Sequence, residues 1–368
     1  MTVVVGICGI LLIFVVLWDI FETVVLPRRV TRRFRLTALF YLGTWRPWSA
    51  IARRMRLGRR REGMLGFYGP LSLILLLVVW VVGLIFGFAL IQWALGSPLV
   101  QTLGGRAGFG TDFYMSGTTF LTLGLGDVIP RTSWGRVITV AEVGAGFGVL
   151  ALVISYLPVV YQSFSQREVN VSMLDARAGS PPSAGELLRR YGNPEFEAAA
   201  GQTLREWERW SAELLESHLS YPFLAYFRSQ HDNQSWLAAL TMILDVCALR
   251  MAGIEGTSAV SMNPARLTYA MARHAAVDLS QIFSARPRAP DPDRLPPSDL
   301  ACLRADLAKT GVRLYEGETA DHKLAKLRSM YEPYVYALSE FLLLPLPPWM
   351  PSEDARDAWR TSSWEAEV

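Results

Sequence analysis

The stretch Thr122-Leu123-Gly124-Leu125-Gly126-Asp127 decides the fold of this 368-residue chain because of what lies on either side of it. Apolar runs at 71–95 and 137–161 flank it, and a third apolar run covers 2–26. Each run is long enough to cross the hydrocarbon core of a bilayer as a helix, which takes about 20 residues. No period-2 alternation favours a barrel. The sequence therefore predicts an all-α membrane protein with three transmembrane helices, a re-entrant pore helix and loop, and an all-α C-terminal domain.

The residue types in this stretch suit a path for cations. A permeating cation must exchange its water for protein oxygens, which rings of backbone carbonyls supply. Successive carbonyls face one axis only if alternate residues take left-handed backbone angles, which glycine adopts at little cost. This requirement accounts for Gly124 and Gly126, while the hydroxyl of Thr122 offers one further oxygen.

At this point the sequence resembles a known family. A span, a loop with the T-x-G-x-G-D motif, Pro130 three residues after Asp127, and a second span are similar to the tetrameric pore-loop potassium channels. The resemblance covers about 65–166. The usual motif is TVGYGD, and TLGLGD is closer to the second filters of two-pore-domain potassium channels, where Leu or Phe replaces Tyr. The segment Trp134-Gly135-Arg136 also fits the start of the family's inner helix.

The resemblance implies a channel subunit that conducts K⁺ passively. One loop per chain and fourfold carbonyl rings imply a homotetramer with closed symmetry. The implied filter residues are Thr122, Leu123, Gly124, Leu125 and Gly126, with K⁺ bound at the first four and no other cofactor. The residues expected to support the filter are Asp127, Tyr114, Thr118, Thr119 and Glu142. The gating candidates are Gly146 and Pro158.

Two alternatives remain open. Leu125 stands where the family has a tyrosine, and the family's tryptophans before the filter are absent, although Tyr114 lies near enough in sequence to bond Asp127. A weakly selective monovalent cation channel is therefore the first alternative. The second is a membrane-anchored signalling protein whose activity lies in the helical C-terminal domain.

The third span carries several unusual residues. Gly144, Gly146 and Gly148 suit close helix packing, and Gly146 lies nearest the family's hinge position. Pro158 removes a helical hydrogen bond and predicts a kink. Glu142 is a carboxylate within the span, and it either bonds Thr118 or Thr119 behind the pore helix or faces the ion pathway.

Arginine placement predicts the orientation. Twelve arginines and no acidic residue lie between 28 and 61, and short loops rich in Arg stay in the cytoplasm. The chain is therefore expected in the cell (inner) membrane, with its N-terminus outside and its C-terminal domain cytoplasmic. The segment from about 31 to 56 reads as an amphipathic helix on anionic lipid. On the first helix, Asp19 and Glu22 are expected to form surface salt bridges with Arg28 and Arg29.

These patterns set the predicted domain boundaries. The N-terminal transmembrane helix covers 1–27, and an Arg-rich cytoplasmic or interfacial segment covers 28–64. The pore domain, 65–165, contains an outer helix (70–95), a pore helix with Asp112 as N-cap (112–121), the filter (122–127) and an inner helix (134–163). A cytoplasmic helical domain covers 166–368, with linkers at 178–184 and 286–298.

The C-terminal half is polar and faintly acidic, with 27 acidic against 21 basic residues from 164 onward. Asn193-Pro194 is expected to begin a helix, and apolar periodicity predicts helices near 203–217, 235–253, 264–284, 299–311 and 319–344. We find no strand-borne nucleotide fingerprint and no nucleophile beside a base, so an enzyme is not expected. The high isoelectric point comes from the arginine block, which suggests contact with anionic lipid and not with nucleic acid. An unidentified ligand or protein partner of this domain stays open.

Overall fold

The computed structural model describes residues 2–26, 35–96, 99–101, 108–191, 197–255 and 259–351. The chain divides into two compact units. Unit 1 comprises Met1–Arg54 and Phe67–Gln162, and unit 2 comprises Met55–Gly66 and Ser163–Val368. The described residues are mostly helical, and several helices are long and apolar enough to span a membrane. The predicted all-α membrane fold with a helical domain is confirmed.

Unit 1 is built from long helices and one short strand pair. Its elements are α1 (Thr2–Ile20) with a π turn (Phe21–Val25), α2 (Leu36–Arg54), α3 (Arg59–Ala94) from Phe67 onward, β1 (Leu99–Gln101), α4 (Phe109–Phe120), β2 (Val128–Pro130) and α5 (Ser133–Ala178) as far as Gln162. The three predicted spans fall within α1 with its π turn, α3 and α5. Both α3 and α5 run beyond the predicted outer and inner helices, because hydropathy marks where the apolar stretch ends and not where the helix ends. Residues 59–69 and 164–178 contain no proline, and Pro70 and Pro158 lie inside continuous helices.

The carboxylate of Asp19 joins three helices of unit 1. It accepts hydrogen bonds from the backbone N–H of Thr37 at 3.1 Å, the hydroxyl of Thr37 at 2.6 Å and the indole of Trp80 at 2.9 Å. Asp19 is buried and caps the first turn of α2. The prediction that it lies at the surface was wrong. Glu22 lies 3.5 Å from Arg35. Arg28 and Arg29, its predicted partners, lie outside the described residues.

Close packing of α1 against α3 depends on two glycines. A Cβ added to Gly9 would lie 2.7 Å from the carbonyl oxygen of Gly87, and one on Gly87 would lie 2.6 Å from Ile13. Small residues allow membrane helices to approach this closely.

Unit 2 is a bundle whose centre is α8 (Trp236–Gly253), a helix whose 18-residue apolar window is 89% buried. Its other helices are α6 (Ala184–Tyr191), α7 (Glu197–Ser220), α9 (Ala259–Ile282), α10 (Pro297–Lys309), α11 (Glu318–Ser329) and α12 (Glu332–Leu342), with a 3₁₀ turn at Pro222–Tyr226. Although α8 is long and apolar enough to cross a bilayer, its neighbours cover it, so it forms a protein core. The run predicted at 319–344 is two helices that meet near Met330. The helix start predicted at Asn193-Pro194 lies outside the described residues.

Buried side chains fix the predicted 286–298 linker to the bundle. Arg294 donates to both oxygens of Asp245, at 2.7 and 3.2 Å, and to Glu332 at 3.1 Å. The hydroxyl of Tyr331 also donates to Asp245. Burial alone would lower the pKa of Arg294, but the charges of Asp245 and Glu332 hold that pKa above its ordinary value. We call Asp245, Arg294, Tyr331 and Glu332 the Asp245 cluster.

Candidate functional site

The TLGLGD segment (residues 122–127) begins at the C-terminal end of α4. The last carbonyls of a helix have no partner within the helix, and here the segment supplies the partners. The N–H of Leu123 donates to the carbonyl of Thr118 at 2.7 Å, and the N–H of Thr122 donates to the carbonyl of Thr119 at 3.0 Å. The start of the segment is therefore held against the end of α4.

Alternate residues of this segment have left-handed backbone angles. Thr122 has a φ of 56°, Gly124 of 50° and Gly126 of 77°. The sequence predicted this conformation at the two glycines and missed it at Thr122, where a β-branched residue pays a steric cost. In the described part of the chain, no atom outside the neighbouring residues lies within 4 Å of a Cβ added at Gly124 or Gly126. The glycines are required by their angles and not by crowding.

The side chains of the segment are exposed in a single chain. Leu123 is 62% exposed and Leu125 is 61% exposed. Neither leucine is packed into the core of unit 1, and the segment leaves its apolar side chains and its backbone available to other surfaces.

The end of the segment is held by a tyrosine and by a strand pair. The hydroxyl of Tyr114 on α4 donates to the carboxylate of Asp127 at 3.0 Å, the contact that the sequence suggested. Directly afterwards, β2 pairs antiparallel with β1, with Leu99 opposite Pro130. The sequence gives little signal for this pair, since three-residue strands are too short for an alternating pattern.

Two sequence predictions about the pore helix need correction. The helix α4 begins at Phe109 with Gly108 as N-cap, so Asp112 lies within the first turn and is buried there. The hydroxyl of Thr118 donates to the carbonyl of Met115 at 3.0 Å, within its own helix. Thr118 and Thr119 therefore contribute backbone carbonyls to the segment, and their side chains are not the partners of Glu142.

Glu142 faces the pore helix and is 1% exposed. Its partner is Ser116, whose hydroxyl contacts Oε1 of Glu142 and also lies 2.8 Å from the carbonyl of Ile85 on α3. Of the two predicted orientations, the one behind the pore helix is therefore observed, with a different partner. The sequence signal for Ser116 was its position in the pore helix six residues before Thr122, which is too general to single it out.

Gly146 lets α5 approach the end of α4 closely. A Cβ at this position would overlap the carbonyl oxygen of Phe120, the last residue of α4. At Gly144 and Gly148 an added Cβ would have no atom of the described residues within 4 Å, apart from its own helix backbone and chain neighbours. Gly146 therefore has a packing role, and Pro158 lies exposed within a continuous α5.

Comparison with known proteins now adds to this geometry. Residues 74–163 match a protein-family model described as "Ion channel". The match supports an ion channel. It begins within α3, contains α4 and the TLGLGD segment, and ends within α5, which is the part of unit 1 described above.

One curated relative is a membrane protein. The chain is 23% identical over 192 residues to the "Uncharacterized membrane protein YdjJ" of Bacillus subtilis (strain 168). The alignment covers 52% of this chain and 55% of that relative, so the chain spans about half the length of the relative it matches. No solved structure matches the chain.

Proposed function

We propose that the chain is one subunit of a homotetrameric potassium channel. The observation that carries the proposal is the alternation of left-handed residues at Thr122, Gly124 and Gly126, in a loop between two membrane-capable helices. Such alternation turns successive carbonyls toward one side of a strand, as a carbonyl-lined filter requires. In the proposed pore, K⁺ is bound by the carbonyls of 122–125 and by the hydroxyl of Thr122.

Four chains supply the missing surroundings of the segment. Irregular backbone at membrane depth is tolerated only where it is buried in protein or lines a water-filled cavity. In one chain the segment has neither, and Leu123 and Leu125 are mostly exposed. Around a fourfold axis, the carbonyls would line the water path while the leucines pack against neighbouring subunits.

The proposed supports of this filter are side chains behind it. Tyr114 holds Asp127 at the outer end, and Ser116 with Glu142 joins α4 to α5 behind the segment. Gly146 lets α5 approach the end of α4 and is retained as a gating candidate with Pro158.

The proposed orientation follows the arginine distribution. The segment between α1 and α3, which includes α2, carries the arginine excess. Short segments rich in arginine stay in the cytoplasm, so we propose that this segment is cytoplasmic. The N-terminus and the TLGLGD segment are then outside, and 166–368 lies in the cytoplasm beside the cell (inner) membrane.

A weakly selective cation channel is the second candidate. Leu125 has no hydrogen-bonding group to brace the filter, whereas the Tyr114–Asp127 bond at 3.0 Å is a brace that does not involve residue 125. Selectivity then depends on the bracing of Asp127 and on leucine packing between subunits.

Replacement of Gly124 by alanine tests conduction. An alanine at a φ of 50° costs about 1–2 kcal/mol per subunit, and four subunits share one filter. We expect K⁺ flux from liposomes to fall at least about 100-fold in Gly124→Ala. The matched control is Gly43→Ala, at an exposed helical position where an added Cβ meets nothing within 4 Å. Flux that survives Gly124→Ala unchanged would favour activity located in 166–368.

A further inference from the structure

Unit 2 contains a cavity of about 310 Å³ that the proposed channel function does not use. It lies between the first turns of α3, the loop 228–235 before α8, and the chain after α12. Its volume is at the lower end of the range for small-molecule sites, roughly 300–1,000 Å³, which suits a small metabolite. We call it the α8 cavity.

Part of the α8 cavity lining is polar. Gln234 lies in this lining and is 8% exposed. The hydroxyl oxygen of Ser229 is buried, and the described part of the chain offers it no hydrogen-bond partner. An unsatisfied buried polar group is costly, so its presence at a cavity points to a ligand or to water that completes it.

The cavity lining also carries positive charge, beside the carboxylates of Glu62 and Asp232. It includes Ser235 and Ala238 at the N-terminus of α8, an 18-residue helix, where N–H groups point outward and the helix dipole favours an anion. The Oγ of Ser235 accepts from the N–H of Ala238 at 3.0 Å, which satisfies one of these donors. Arg228 adds a full positive charge. Burial lowers the pKa of Arg228 to about 10, so the side chain stays charged at neutral pH.

Glu62 is the carboxylate that now faces Arg228. Its Oε2 lies 3.6 Å from Arg228, and its Oε1 lies 3.8 Å from Arg61. These distances are too long for hydrogen bonds, so the attraction is Coulombic only. Arg228 instead donates to the carbonyls of Leu342 and Leu343, at 2.8 and 3.0 Å. Two arginines therefore surround one loosely held carboxylate.

Another part of the cavity lining is apolar. It consists of Pro181 and the run Leu344-Pro345-Leu346-Pro347. Asp232 and His231 lie at the exposed rim. A ligand that fits both parts of the lining has one anionic group and a short carbon chain.

We propose that the α8 cavity binds a small organic anion, a carboxylate or a phosphate monoester. The anionic group would bond Ser229 and Gln234 near the N-terminus of α8 and compete with Glu62 for Arg228. The carbon chain would lie on the run 344–347. Because Glu62 belongs to α3, which is continuous from Arg59 to Ala94, a ligand here contacts the helix that continues into the channel-like segment.

Thermal unfolding of the purified full-length chain in detergent tests this proposal. The probes are 4-methylpentanoate as carboxylate and isobutyl phosphate as phosphate monoester, with isobutylammonium as cationic control at matched ionic strength. We expect at least one anion to raise the unfolding midpoint in a saturable way while the ammonium does not. The two anions separate the carboxylate from the phosphate source. Failure of both anions, or an equal effect of the ammonium, overturns the proposal.

Variants separate specific binding from general stabilisation. Glu62→Gln removes the competing carboxylate, so it is expected to tighten binding of the active anion about fivefold by calorimetry. Ser229→Ala with Gln234→Met is expected to weaken it at least about tenfold. Glu213→Gln, at an exposed pair on α7, is the control and is expected to have no effect. Unchanged affinity in Glu62→Gln contradicts the assignment. So does unchanged affinity in the double variant, provided that its circular dichroism spectrum matches that of the wild type. None of these readouts depends on ion conduction.

Discussion

In residues 122–127 of unit 1, the groups proposed to bind an ion are backbone carbonyls. These residues are exposed, and alternate ones have left-handed backbone angles. In the Asp245 cluster of unit 2 the polar groups are buried side chains that bond one another. The first region needs residues that permit a conformation, while the second needs partners that match in charge. Substitutions in the first region are therefore expected to change conduction more than stability, and substitutions in the second to do the reverse.

The largest expected effect is on the stability of unit 2. Arg294→Ala leaves Asp245 buried without its cation, which typically costs about 3–5 kcal/mol, while Glu332 keeps its bond to Arg328. We expect a lowered midpoint for unit 2 in chemical denaturation of the purified chain. Arg209→Ala, in an exposed pair with Glu213, is the control and is expected to change stability by about 0.5 kcal/mol or less. Equal effects of the two variants would remove the distinction between the two regions.

The next effect is on conduction. Gly146→Ala places a methyl group against the carbonyl of Phe120, and overpacking of this kind costs about 1–3 kcal/mol. We expect K⁺ flux to fall about tenfold or more, because the end of α4 holds the TLGLGD segment. Gly148→Ala, two residues along the same helix and with open space at its Cβ, is expected to conduct like the wild type. Similar flux in both variants would show that this contact does not position the segment.

A third prediction concerns pH and unit 2 alone. Burial, followed by the charge of Arg167, lowers the pKa of His218 to about 3, against an ordinary value of 6.5. The unfolded chain therefore binds a proton that the folded chain does not between those two values, and stability is lost as pH falls below 6.5. The loss due to this residue is expected to be on the order of 1–2 kcal/mol between pH 7 and pH 5.

His218→Phe tests this pH dependence by denaturation at several pH values. The variant is expected to have a flatter stability profile between pH 7 and pH 5, whatever its stability at pH 7. A profile as steep as that of the wild type would show that other groups cause the dependence. His274→Gln, at a side chain that is 60% exposed, is the matched control and should leave the slope unchanged.

The smallest effect is on selectivity. Tyr114→Phe removes one hydrogen bond to Asp127, worth about 1 kcal/mol, and leaves the ring in place. We expect the K⁺/Na⁺ permeability ratio to fall about fivefold while conduction persists, measured from reversal potentials. Tyr161→Phe, at an exposed residue of α5, is the control. An unchanged ratio in Tyr114→Phe would assign the brace to leucine packing.

Patterns with a single physical cause were predictable from sequence. Length and hydropathy predict the three spans, and the need for left-handed angles predicts Gly124 and Gly126. Contacts between distant segments were not predictable in the same way. Asp19 could have paired with several arginines, and only the fold brings it to Thr37 and Trp80.

The remaining misses have similar reasons. Ser116 is an ordinary helical serine until α5 brings Glu142 to it. The extents of α3 and α5 exceed the apolar runs, since a helix continues wherever nothing breaks it. The α8 cavity combines residues from four separate parts of the chain, and no local pattern marks it.

The most direct test of the central claim is the reversal potential of the purified wild-type chain in liposomes, under opposed K⁺ and Na⁺ gradients. A potassium-selective pore predicts a potential close to the K⁺ equilibrium value, carried by flux that Ba²⁺ blocks. A potential near zero would contradict selectivity and favour the weakly selective channel. No flux from correctly reconstituted protein would contradict the proposed channel itself.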